Sequence, residues 1–167
     1  SMESTESALV KGPITRIRRG CLMFKLEGHV ALVTGGKGGI CLAYARGLVK
    51  SGAAVALWGR NTEKNQTAVD ELKSLGGNVH AFVCDVTDEA MVKQVFADTL
   101  AHFGKVDSCF ANAGGGGEPG RLHETDSENW KRVMDMNVTR VVPKFRPVIP
   151  HIIERQEPGK GHGTPTT

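Results

Sequence analysis

Residues 33–45 read VTGGKGGICLAYA, where four glycines surround Lys37 between an apolar run and a stretch of helical period. Such glycines permit a tight turn and close backbone approach, so that amide N–H groups at the next helix N-terminus can face a pyrophosphate. Where a third spaced glycine is expected, the chain has Cys41. A plain βα turn accounts for the same glycines, so the loop needs partners before it counts as a dinucleotide cradle. Three partners follow. About 20 residues beyond such a loop, NAD-binding folds place an acidic residue on the ribose hydroxyl. This chain has Gly59 there, followed by Arg60 and Asn61. With no carboxylate to repel it and a guanidinium able to pair bidentately, a 2′-phosphate is acceptable, which points to NADP rather than NAD. Lys37 adds a second positive charge; a solvated surface cation is the competing reading of both residues. Asp85, in CDVTD, can accept a hydrogen bond from an adenine amino group or simply support the helix after it. Asn112, Ala113 and Gly114, in ANAGGGG, form only a turn as a tripeptide, but they stand directly after an apolar run at the edge where open α/β sheets bind ligands.

These residues need a frame, and the hydrophobic pattern supplies one. From residue 29 onward short β-branched runs alternate with longer stretches of helical period, as in βαβ units around a parallel sheet. Strands are predicted at His29–Thr34, Ala54–Trp58, Val79–Cys84 and Val106–Ala111. Helices are predicted from about Ile40 to Ser51, from Thr62 to Leu75 with Ala68, Val69, Leu72 and Leu75 on one face, and after a Thr87 cap. The last of these carries Val92, Val95, Phe96, Leu100 and Phe103. A capping box at Thr125–Glu128 starts a further helix bearing Trp130, Val133 and Met134. Pro143, Pro147 and Pro150 should break or kink its continuation, since an interior proline costs roughly 3 kcal/mol. The fold class expected is α/β: a doubly wound parallel sheet, three layers deep, with strand order 3-2-1-4 and so incomplete.

The 167 residues, 40% hydrophobic and 5% aromatic, suit one modest globular domain. No apolar run reaches the roughly 18–20 residues of a membrane span and no signal-like segment opens the chain, so a cytosolic protein without membrane partners is expected. Lys11, Arg16, Arg18, Arg19 and Lys25 against Glu3 and Glu6 give the first 25 residues the whole formal charge of +3. A basic, flexible tail over 1–24 explains this better than nucleic-acid binding. The body is expected over 25–155, with a flexible tail over 156–167. Cys21, Cys41, Cys84 and Cys109 are scattered and the six histidines lack ligand spacing, so reduced thiols and no metal site are expected. No G-x-S-x-G elbow suggests a hydrolase.

Taken in order, TGGKGGI at Thr34–Ile40, GRN at Gly59–Asn61, CDVTD at Cys84–Asp88, NAG at Asn112–Gly114 and MNVT at Met136–Thr139 resemble the short-chain dehydrogenase/reductase family over about residues 25–155. The extended epimerase/dehydratase branch has a glycine spacing that Gly35 and Gly38 also satisfy, but NAG followed by MNVT favours the shorter reductase branch. The resemblance implies a Rossmann fold in which Gly35 and Gly39 shape the phosphate turn, Ile40 lies near the nicotinamide side and Arg60 selects the 2′-phosphate. Asp85 and Val86 would bracket the adenine, and Asn112, Ala113 and Gly114 would approach the cofactor. Lys37, Gly38 and Asn61 complete the cofactor-binding set. Asn137 matches the family's active-site asparagine, which kinks its helix and holds a water in a proton relay; a buried structural asparagine is the competing reading.

The activity implied is hydride transfer between NADP(H) and a small-molecule alcohol or carbonyl, using a tyrosine, a lysine four residues later and a serine. A phenol of pKa about 10 needs such help at neutral pH. The only tyrosine is Tyr44, with Leu48 four residues on, so the 167 residues contain no Tyr-x-x-x-Lys. The missing serine, tyrosine and lysine are expected in a longer form, and no turnover is expected of this chain. A non-catalytic nucleotide-binding or interaction module is the alternative. A bare edge on strand four leads to an expected homo-oligomer, through that edge or the Trp130 helix. Cys41 is expected to displace its helix slightly and weaken cofactor binding.

Overall fold

A computed structural model describes residues 25–35, 39–118 and 120–156. The tail predicted over 1–24, the chain beyond Gln156, and Lys37 and Gly38 lie outside the described residues. The elements run β1 (Val30–Thr34), α1 (Ile40–Lys50), β2 (Ala54–Gly59), α2 (Thr62–Ser74), β3 (Val79–Val83), α3 (Glu89–Phe103), β4 (Ser108–Phe110), α4 (Ser127–Met134), α5 (Val141–Phe145) and α6 (Val148–Gln156). All the strand pairs are parallel and the order is β3-β2-β1-β4, as predicted. Register sets Val30 opposite Ala54 and Ala31 opposite Ser108, so the ends of β1, β2 and β4 open on one edge.

The central strands are apolar on both faces because both are covered. On one face Val33, Val55 and Leu57 pack with Cys41, Ala45 and Val49 of α1 and Ala68, Val69 and Leu72 of α2. On the other, Leu32, Ala56 and Trp58 pack with Val92, Val95 and Phe96 of α3 and Val148 of α6. Trp58 is fully buried, and its indole N–H donates to Thr99 Oγ1 at 3.0 Å, which in turn donates to Val95 O at 2.7 Å. No polar atom of that chain of bonds is left open.

Local chemistry adjusts several predicted boundaries. Asp88, not Thr87, caps α3: its carboxylate accepts from Ala90 N and Met91 N, while Thr87 donates from both amide and hydroxyl to Asp85. The box expected at Thr125–Glu128 is likewise replaced by one cap, with Asp126 Oδ1 accepting from Asn129 N at 2.6 Å. Leu75 lies past the end of α2 and is exposed rather than on the buried face. Strand β4 is shorter than predicted, since the Val106 amide leaves the ladder to donate to His151 Nε2 at 3.2 Å.

The prolines act as expected, by position. Pro143 and Pro150 each occupy the third residue of a short helix, where an amide would have no helical partner, and Pro147 lies in the break between them. Helix α4 runs into a π turn, Asp135–Thr139, before α5 begins. Strand β4 pairs with β1 alone, so its outer edge is free among the described residues.

Candidate cofactor site

Strand β1 and the chain leaving β4 diverge at the carboxyl edge, and a cavity of about 420 Å³ opens there. Its walls come from all four βα units: Gly35 and Cys41 after β1, Trp58 to Arg60 at the end of β2, Cys84 to Thr87 after β3, and Asn112 to Gly114 after β4. Met136, Arg140 and Lys144 close it from the π turn and α5. A crevice at the point where strand order reverses is where open α/β sheets bind ligands.

Four hydrogen bonds tie the residues of the two loops together at this crevice. Thr34 Oγ1 accepts from Ala113 N at 3.1 Å and donates to Phe110 O at 3.3 Å. The Cys41 thiol donates to Thr34 O at 3.3 Å and accepts from Asn112 Nδ2 at 3.1 Å. Cys41 is buried, and a Cβ on Gly35 would stand 3.1 Å from its sulfur. The thiol thus takes up the space beside a glycine and joins the loops. Cys41→Gly should accordingly destabilise the chain by about 1–2 kcal/mol, through the loss of both weak thiol hydrogen bonds and a glycine within α1. Urea unfolding checks this, and an unchanged midpoint would contradict it.

Gly35 and Gly39 both adopt positive φ, 94° and 61°, a conformation that side-chain-bearing residues rarely take. Gly59 is constrained differently. A Cβ there would run into the buried Asn65 amide, which donates to Gly59 O at 2.8 Å, so no acidic side chain fits at this position without repacking Asn65. Arg60 stands beside it with Nη1 3.8 Å from Asp85 Oδ2. The Thr87 amide and hydroxyl, at 2.9 and 2.7 Å from Oδ1, hold the Asp85 carboxyl below its ordinary value, with Arg60 and Arg140 acting in the same direction. Asp85 therefore closes its own turn and still faces the cavity.

Gly35, Arg60, Asp85, Val86, Asn112, Ala113 and Gly114 are brought together in one cavity. Other predicted residues stand apart from its walls. Gly39 caps α1, and Ile40 is 62% exposed. Asn61 caps α2, its Oδ1 accepting from Lys64 N at 2.8 Å. Asn137 sits exposed in the π turn, so it is not buried; its amide accepts from Gly115 N and donates to Gly115 O and Val133 O. Gly114 must lack a side chain for this, since a Cβ would meet Asn137 Oδ1. Tyr44 is half exposed on α1 against Phe110, outside the cavity lining.

Sequence reading missed Arg140 and Lys144. Lys144 is 1% exposed, and its Nζ donates to Ala113 O at 2.5 Å. Burial pulls its pKa below the usual lysine value. The one signal was a lone lysine between two prolines in an apolar run, which does not say which way it points. Burial also pushes the Cys84 and Cys109 thiols up to about 11 and about 12, so both stay protonated near neutral pH. Among the described residues no group of His, Cys, Asp and Glu is arranged to hold a metal, and no helix is long and apolar enough to cross a membrane.

Comparison with known proteins bears on this geometry directly. The short chain dehydrogenase family profile matches residues 29–160. A 2,3-dihydro-2,3-dihydroxybenzoate dehydrogenase of Bacillus subtilis (strain 168) is 33% identical over 131 residues, 78% of this chain and 50% of the relative. The fold superposes with a TM-score of 0.72 on an NAD+-bound xylitol dehydrogenase, 35% identical over 77% of this chain and 50% of that one. It superposes at 0.68 on a metagenomic short-chain oxidoreductase in complex with NADP, 32% identical over 77% of this chain and 58% of that one. The chain spans about half the length of the curated relatives it matches. A family match over most of the sequence, joined to a doubly wound sheet with its crevice at the β1/β4 divergence, establishes that this chain belongs to the short-chain dehydrogenase family.

Proposed function

We propose that residues 25–155 form the cofactor-binding domain of an oxidoreductase that moves a hydride between NADP(H) and a small-molecule alcohol or carbonyl, and that the cofactor is NADP in preference to NAD. The observation that carries the preference is the end of β2. Gly59 is held side-chain-free by Asn65, and Arg60 on the cavity wall is the next residue. A guanidinium pairs with a phosphate through two parallel hydrogen bonds, whereas the diol of NAD offers it no charge. Solved relatives hold either NAD or NADP, so fold alone gives no preference.

In such a site the glycine turn and the N-terminus of α1 would face the pyrophosphate, and Asp85 and Val86 would flank the adenine. The nicotinamide, once bound, supplies the hydride chemistry. The residues of this chain bind and orient. No Tyr-x-x-x-Lys is present in the 167 residues, and Tyr44 is not on the cavity wall. This favours, for the chain by itself, nucleotide binding without turnover. Self-association through the free edge of β4 or the exposed Trp130 of α4 belongs to the same proposal. Titration calorimetry of Arg60→Asp tests the cofactor assignment: NADP affinity should fall about tenfold or more, with NAD at least retained. An unchanged preference would remove Arg60 from the role.

A further inference from the structure

Among the described residues the fold buries two cations and treats them differently. Arg155 of α6, 7% exposed, has Asp107 at 2.8 Å as counterion. Lys144 of α5, 1% exposed, has no carboxylate within pairing distance among the described residues. Its neighbours are the Ala113 carbonyl and the Cys109 thiol, which burial keeps neutral. An ammonium carries three donors, and one is used here. A desolvated charge without a partner is strongly unfavourable, so its place in a folded chain calls for a compensating anion. Lys144 lies on the wall of the crevice, where Arg60 and Arg140 stand as well. Among the described residues the only carboxylate on that wall, Asp85, is already engaged by Thr87 and faces Arg60.

We propose that Lys144 is a nucleotide-binding residue: its buried ammonium takes a phosphoryl oxygen of the bound nucleotide as the counterion that the protein does not provide. This rests on the dinucleotide reading of the crevice and extends it to α5, an element that no glycine or acidic motif marks. The 5′-diphosphate and the 2′-phosphate offer the same chemistry to the ammonium. Lys144 also acts on the loop itself, since its hydrogen bond to Ala113 O holds the carbonyl of the loop whose amide is fixed by Thr34.

Stability and binding should then respond with opposite signs. Lys144→Met removes a buried charge and keeps an apolar side chain of similar length, so it should raise the melting temperature. The same change should weaken NADP binding about tenfold. Titrations with ADP, 2′-AMP and adenosine locate the contact. Loss of ADP affinity alone assigns the 5′-diphosphate, loss of 2′-AMP affinity alone assigns the 2′-phosphate, and adenosine should be unaffected. In the wild-type chain with 15N-labelled lysine side chains, ADP or 2′-AMP should shift the Lys144 Nζ resonance and adenosine should not. Equal NADP affinity in the variant, a lowered melting temperature with unaltered binding, or an unmoved Nζ resonance would overturn the proposal. Should the wild-type chain bind no NADP and no NAD, the dinucleotide reading itself fails, a different result from Lys144→Met binding NADP like wild type.

Discussion

Asp107→Asn is expected to destabilise the chain by about 3 kcal/mol, because it leaves a buried guanidinium without its counterion. Asp107 is where three elements meet. Its Oδ2 accepts from Val30 N, the first amide of β1, at 2.8 Å and stands 3.2 Å from Lys105 Nζ. Its Oδ1 lies 2.8 Å from Arg155 Nη2 of α6. Arg155 Nε and Nη1 are buried without a hydrogen-bond partner, so the Asp107 contact is what offsets the burial of that charge. Asparagine can still accept from Val30 N but carries no charge. Burial alone would push the Asp107 carboxyl up; the Val30 amide, Lys105 and Arg155 override it and hold the group below its ordinary value. A carboxyl depressed on folding binds fewer protons than in the unfolded chain, so its contribution is complete above pH about 4 and lost as pH falls through the folded value. The gap between wild type and Asp107→Asn in urea unfolding should therefore be wide at pH 7 and narrow progressively as pH falls below about 4. A gap independent of pH would exclude the ion pair as its cause.

Gly35→Ala should have an effect of similar size, about 2–3 kcal/mol, from backbone rather than charge. Gly35 has φ +94°, where an L side chain is strained by about 1–2 kcal/mol. The added Cβ would also stand 3.1 Å from the Ala113 Cα, a backbone atom held by Thr34 and Lys144 and hence slow to move aside. Yielding means separating the glycine turn from the Asn112–Gly114 loop, which opens the crevice from its base. Stability and dinucleotide affinity should fall together. Retention of both in Gly35→Ala would show that the turn is looser than its hydrogen bonds indicate.

How far these features could be read from the sequence follows from the physics behind each. Period and breakers located the four strands and their helices, because burial on both faces of the sheet demands apolar runs such as Val30–Thr34 and Ala54–Trp58. Proline chemistry located the helix breaks after α4, since a missing amide acts locally. Arg60, Asp85 and Asn112–Gly114 were legible because position after a strand fixes position at the sheet edge. Choice between adjacent candidates was not. Thr87 and Asp88 can both cap a helix, and the competition was settled by Asp85, which claims the Thr87 hydroxyl. Cys41 read as a flaw in a glycine pattern, yet its sulfur bonds to both loops, a use that depends on Asn112 arriving from far along the chain. Lys144 and Arg155 were invisible for the same reason. Whether a cation is buried or solvated depends on what packs over it, and short proline-bounded helices leave no period from which to infer the facing side.

The central claim is that the crevice between the β1 and β4 loops binds a dinucleotide and, through Arg60, prefers the one bearing a 2′-phosphate. Calorimetric titration of the 167-residue chain with NADP and with NAD, in the same buffer at moderate salt, tests it most directly. The proposal predicts one site per chain, with NADP bound about tenfold or more tightly than NAD; equal affinities, tighter NAD, or no heat with either would contradict it.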